Sequence, residues 1–145
     1  MITAIPYCVA AIGMILVGRR SDRTAERRLH LVVPALAGAA GFFVVTRTGT
    51  TVALVAALSL TAFGVVGWLG PFWAMPTAFL KDQAAAGGVA LVNSMGAVGG
   101  FVGPYLIGRI KEQSGSYTDG LLLLAGLQLA AAVLVLALRH RADGR

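Results

Sequence analysis

Charge is scarce in this sequence: only 12% of its 145 residues are Asp, Glu, Lys or Arg, and only six of those are acidic. A soluble globular composition carries about 25% charge, so the polar faces that keep such a domain in water are missing. Cysteine is nearly absent too. Cys8 stands alone, which excludes an internal disulfide, and its apolar setting reads as that of a small buried hydrophobe. The sequence contains no G-x-x-x-x-G-K loop, no H-E-x-x-H pair and no nucleophile elbow, and no two carboxylates face each other. It therefore offers no catalytic residue, no metal ligand and no cofactor site, and an enzyme is not expected.

What fills the space is hydrocarbon. Hydrophobic residues make up 57% of the chain, and the mean hydropathy is +0.80. In a bilayer core every backbone amide must be bonded within its own segment, so apolar stretches of about 18 residues or more read as helices. Five occur, predicting spans over residues 2–18, 29–46, 51–80, 85–110 and 120–138. The expected fold is an all-α membrane protein in a lipid bilayer. The third stretch, at about 1.5 Å per residue, is too long for one straight crossing. Gly70, Pro71 and Pro76 in its second half predict a kink.

The net charge of +6 does not point to nucleic acid, because the basic residues sit in short clusters between apolar runs and not on one face of a folded domain. Counted by connection, Arg19, Arg20, Arg23, Arg27, Arg28, Lys81, Arg139, Arg141 and Arg145 fall on one side, and Arg47, Arg109 and Lys111 on the other. That bias puts the 19–28 connection and the C-terminus in the cytoplasm of a bacterial-type inner membrane. The first apolar run ends in Arg19 and Arg20, the reverse of a signal peptide's order, so it reads as a span, with further helices expected before it. His30 and His140 border arginines and do not read as a proton relay.

Three segments carry specific information. The first, Gly18 to Arg28, places glycine, aspartate and three arginines at the junction of two spans: Gly18, Asp22, Arg23, Arg27 and Arg28. The second runs from Gly70 to Leu80 and holds Phe72 and Trp73. The third, from Val89 to Gly108, contains Asn93 and Ser94 and two small-xxx-small pairs, Gly96 with Gly100 and Gly99 with Gly103. Such pairs allow close helix packing in lipid, where association rests on contact and hydrogen bonding. An unpaired amide in hydrocarbon costs several kcal/mol, so Asn93 must meet a ligand, water or another helix. Both readings stay open, substrate contact and interhelical bond. Trp68, Phe72 and Trp73 could line a path, but aromatics near a kink are more often packing residues, and Tyr105 reads as an interfacial aromatic.

The first segment fits G-x-x-x-D-R-x-x-x-R-R and resembles a loop motif of the major facilitator superfamily. The three segments in order resemble its anion:cation symporter family, the tartrate, phthalate and hydroxyphenylacetate permeases. That resemblance implies that the five spans correspond to the eighth through twelfth helices of a twelve-helix carrier, in its C-terminal bundle. It implies a small organic anion as substrate, a proton or other cation as coupling ion, and the N-terminal helices as partner. Asn93, Ser94 and Trp73 are then the cavity candidates. Gly18, Asp22, Arg23, Arg27 and Arg28 form a conformational latch, the arginines sitting among anionic headgroups. All six carboxylates fall in connections, tail or helix ends, so a coupling acid is expected from helices outside this chain. Two other readings stand beside a carrier: a membrane scaffold that transports nothing, and a truncated, inactive gene product.

Topology is directly testable. Reporter fusions at Ser21 and Lys81 should report the same face of the membrane; opposite faces would contradict the five-span reading.

Overall fold

In the computed structural model, residues 2–75 and 82–137 are described. Pro76, Lys81, Arg139, His140, Arg141 and Arg145 lie outside them. Among the described residues six helices follow one another: α1 (Ala4–Thr24), α2 (Arg28–Val45), α3 (Thr51–Val66), α4 (Leu69–Ala74), α5 (Asp82–Ser114) and α6 (Thr118–Ala137). With α3 and α4 taken as one interrupted rod, five helices are long and apolar enough to cross a membrane.

The helix ends follow local chemistry. Thr50 caps α3 by accepting the Ala53 amide at 3.4 Å. The Glu26 carboxylate does the same for α2, accepting the Leu29 amide at 2.8 Å. Along α3, the hydroxyls of Ser59 and Thr61 donate to the carbonyls of Val55 and Ala57 at 2.7 and 2.9 Å, so neither needs an external partner inside lipid. The predicted kink is a break at Gly67 and Trp68, ahead of Pro71. Pro71 then falls in the first turn of α4, where a missing amide donor costs little, and its ring is fully buried.

The helices α1, α3, α2 and α6 stand in a row, each packed on the next, with α4 leaning on α1. The α2–α3 crossing is the tightest contact. A Cβ on Gly38 would lie 3.0 Å from the Gly64 Cα, one on Gly41 would lie 2.6 Å from the Thr61 amide nitrogen, and one on Gly64 would overlap the Gly38 backbone. On its other side α2 builds a small core with α6 from Val32, Ala35 and Ala132, against which Val135 packs. Between α1 and α3, the ring of Phe63 occupies the space a side chain on Gly13 would need.

The outer surfaces are apolar. Ile12, Leu16, Val33, Leu127, Val133 and Leu134 are all exposed, as lipid-facing residues are. Cys8, expected to be buried, is exposed as well, because α1 packs through Gly13 and leaves its opposite face open. No residue in the apolar window of α5 is buried. This helix meets the bundle through α6, where Ile107 touches Gly120. Gly96, Gly99, Gly100 and Gly103 have nothing within 4 Å of a Cβ built on them, so whatever packs on those faces is not among the described residues.

The crossing yields a stability prediction. A methyl at Gly64 meets backbone, which cannot rotate away, so Gly64→Ala should cost about 1–3 kcal/mol, whereas Gly49→Ala, in open space, should be near neutral. Melting of the detergent-solubilised protein checks both.

Candidate functional site

Among the described residues, polar groups meet shape at the turn between α1 and α2 and at a cleft lined by α2, α3, α4 and α6.

At the turn, α1 runs through Thr24 instead of stopping at Gly18, since charged residues can extend a helix once it has left hydrocarbon. Arg19 through Arg23 therefore lie on its last turns, where cations complement the negative end of the helix dipole. Ala25 then takes a left-handed conformation with φ 53° and reverses the chain. The buried Ser21 hydroxyl donates to the Glu26 carbonyl at 3.3 Å. His30 closes the turn, with Nδ1 2.5 Å from the same carbonyl and 3.5 Å from the Glu26 carboxylate.

The arginines of this segment part company. Arg27 donates through Nη1 to the carbonyl of Ala74, the last residue of α4. Arg28 donates through Nη2 to the carbonyls of Val135 and Leu136, on the last described stretch of α6, at 3.2 and 2.8 Å. Both donate to main-chain carbonyls of other helices at this end of the bundle. The ends of α1, α4 and α6 and the start of α2 are thus gathered at one end of the bundle. The side chains of Arg19, Arg20, Asp22 and Arg23 stay exposed, and none of them has a partner among the described residues. Gly18 faces Gly70, whose Cβ would lie 3.5 Å from the Gly18 Cα, bringing the first two sequence segments together.

The cleft holds about 560 Å³ and is lined by apolar residues of α2 and α6, together with Trp68 and Phe72. Those two rings pack edge to face at 5.0 Å, and Phe72 packs similarly on Trp73 at 5.3 Å. Trp68 and Phe72 line the cleft, and Trp73 stands behind them. Asn93 and Ser94 lie elsewhere, exposed on α5. Ser94 donates to the Ala90 carbonyl of its own helix at 2.9 Å, and Asn93 has no partner among the described residues. The polar residue at the cleft is Gln128, half-buried midway along α6 and without a hydrogen bond among the described residues. Its amide nitrogen lies 3.1 Å from where a Cβ on Gly38 would stand. Sequence reasoning passed over Gln128, although a lone amide inside a 20-residue apolar helix is a signal in itself. Among the described residues no cluster of His, Cys, Asp or Glu could hold a metal.

Comparison with known proteins gives a consistent picture. A protein of Agrobacterium vitis, named provisionally as a tartrate transporter, is 44% identical over 94% of this chain. A quinolone resistance transporter of Acinetobacter baumannii and an inner membrane transport protein of Escherichia coli K12 are each 36% identical, over 92% and 96% of it. The chain spans about a third of the length of these relatives: 30%, 31% and 32% respectively. No protein-family model matches, and no solved structure matches. Five helices among the described residues are long and apolar enough to cross a membrane, and the chain aligns almost end to end with about a third of each of these transporters; it belongs to the major facilitator superfamily.

Proposed function

We propose that these helices form part of a carrier that moves small organic anions, such as carboxylates, in symport with a proton or another cation. The observation that carries this reading is the 44% identity to a relative named for tartrate, across 94% of the chain. In this reading two helical bundles rock about a central site, the present helices supply most of one bundle, and the 19–28 turn and the C-terminus face the cytoplasm. Asn93 and Ser94 offer an amide and a hydroxyl to the substrate, and Trp73 offers a ring edge. Gly96, Gly99, Gly100 and Gly103 let α5 approach helices of the remaining protein. The carboxylates among the described residues, Asp22, Glu26, Asp82, Glu112 and Asp119, sit at or near helix ends, so the coupling acid comes from the N-terminal half.

A second reading is favoured by the cleft itself. A dianion would be poorly solvated against Trp68, Phe72 and leucines with Gln128 as their one amide, whereas an aromatic, weakly polar compound would fit. The relative named for quinolone resistance points the same way.

Uptake by proteoliposomes carrying the full-length gene product separates the two. Under the first reading labelled tartrate accumulates, and Asn93→Ala lowers uptake about tenfold, the effect of losing one hydrogen bond to a charged group. Asp22→Asn lowers it as well. Wild-type uptake in both variants would contradict the assignment of these residues. Inhibition of Gln128→Leu and wild type alike by apolar aromatics would count against the second reading.

A further inference from the structure

The chain reverses after Ser114, so α5 and α6 run antiparallel, and they meet where Ile107 touches Gly120. From that joint each helix turns one stripe toward the space between them. On α5 the helical repeat carries the Ile107 face back through Gly103, Gly100 and Gly96. On α6 it carries the Gly120 face forward through Leu124, Gln128, Ala131 and Val135, and those four line the cleft. The two stripes part as they leave the joint. Gly103 is half-buried, Gly100 and Gly96 are exposed, and a Cβ on any of the three would meet nothing within 4 Å. At 1.5 Å per residue, Gln128 lies about 12 Å along α6 from Gly120, and Gly100 about 11 Å along α5 from Ile107. The glycines and the amide therefore border one wedge at one depth.

We propose that this wedge seats one further transmembrane helix, supplied by the part of the carrier outside this chain. That helix turns large apolar side chains into the cleft and carries a hydrogen-bonding side chain opposite Gln128. The shape and polarity of the wedge decide between occupants. α5 does not fill the cleft by closing on it, because the face it turns that way carries glycines, while about 560 Å³ stands open; a void of that kind forfeits the contacts that hold a close-packed interior. Lipid chains fill volume but offer Gln128 no hydrogen bond, and an amide left unpaired in hydrocarbon is costly. A helix with bulk on one side meets both needs, and the glycines let its backbone come close to α5 on the other. Length for it is at hand in a carrier of the relatives' size, since this chain spans 30% and 31% of two of them. The inference rests on the carrier reading for the source of the helix. It sets aside the second reading, because a cleft filled by a helix has no room for an aromatic compound.

Photocrosslinking of the full-length gene product in lipid reads the occupant directly. A p-benzoylphenylalanine in place of Leu124, and independently in place of Gln128, should on irradiation attach to a segment outside residues 1–145, identified by peptide mass spectrometry. Adducts confined to residues 1–145, or to lipid, would overturn the proposal. Gly100→Leu, which narrows the wedge, should abolish the outside adduct formed from position 124. Gly126→Leu, off the cleft face of α6 and in open space, should leave it at the wild-type yield. An adduct that survives Gly100→Leu undiminished would overturn the role given to the glycines. If the outside adduct forms in a protein that takes up no anion, the wedge stands and the carrier reading falls. Uptake by a protein whose adducts stay within this chain defeats the wedge alone.

Discussion

Two backbones meet in this structure with no side chain between them, and the rest of the bundle is arranged around that contact. Gly38 of α2 faces Gly64 of α3 so closely that a methyl on Gly64 would overlap the opposing chain, and Gly41 faces Thr61 one turn along. In water such an approach would be one contribution among many. In lipid, where apolar side chains gain nothing by leaving the solvent, close backbone contact is the main source of helix association. Because α2 is thin on this face, it can also offer Val32 and Ala35 to α6 on the other. It thereby becomes the middle of the row. The Phe63 ring, just before Gly64, reaches in the opposite direction to fill the gap beside Gly13 of α1.

Polar groups then finish what packing begins. Hydroxyls within α3 bond back to their own helix and make no demand on neighbours. Charged groups are kept to the ends, where they bridge helices that the apolar contacts leave free to splay: Arg27 at α4, Arg28 at α6. At the far end Lys111 donates to the Tyr117 hydroxyl at 2.8 Å with its ammonium 4.3 Å from the ring centre, which ties the end of α5 to the turn before α6. Asn93 and Gln128 are exceptions, amides within apolar helices, and Gln128 faces a cleft. Such a group is expensive in hydrocarbon and so marks a place of contact with something else.

Much of this was legible in the amino-acid order, and what escaped did so for identifiable reasons. Within the described residues each long apolar stretch is helical, the third with a break at Gly67 and Trp68, because lipid leaves the backbone little alternative. Hydropathy marks where a helix leaves lipid, not where it ends. Hence α1 continues from Gly18 to Thr24, and α5 begins at Asp82 and ends at Ser114, beyond the 85–110 expected. The break in the third stretch falls before Pro71 because a proline is harmless in the first turn of a new helix. The four glycines of α5 stand out in sequence by their helical spacing, while the glycines in tight backbone contact between α2 and α3 are Gly38, Gly41 and Gly64. Spacing within one helix cannot reveal which distant glycine will face it. The division of the arginines was equally hidden, since the partners of Arg27 and Arg28 are carbonyls, which carry no signature in sequence.

Dipolar-recoupled solid-state NMR on the bilayer-embedded protein, with Gly and Thr labelled at Cα, tests the central contact most directly. Cross-peaks between Gly38 and Gly64 and between Gly41 and Thr61 are expected at short mixing times. Their absence from a sample whose helices are fully inserted would contradict this account of how the bundle is held together.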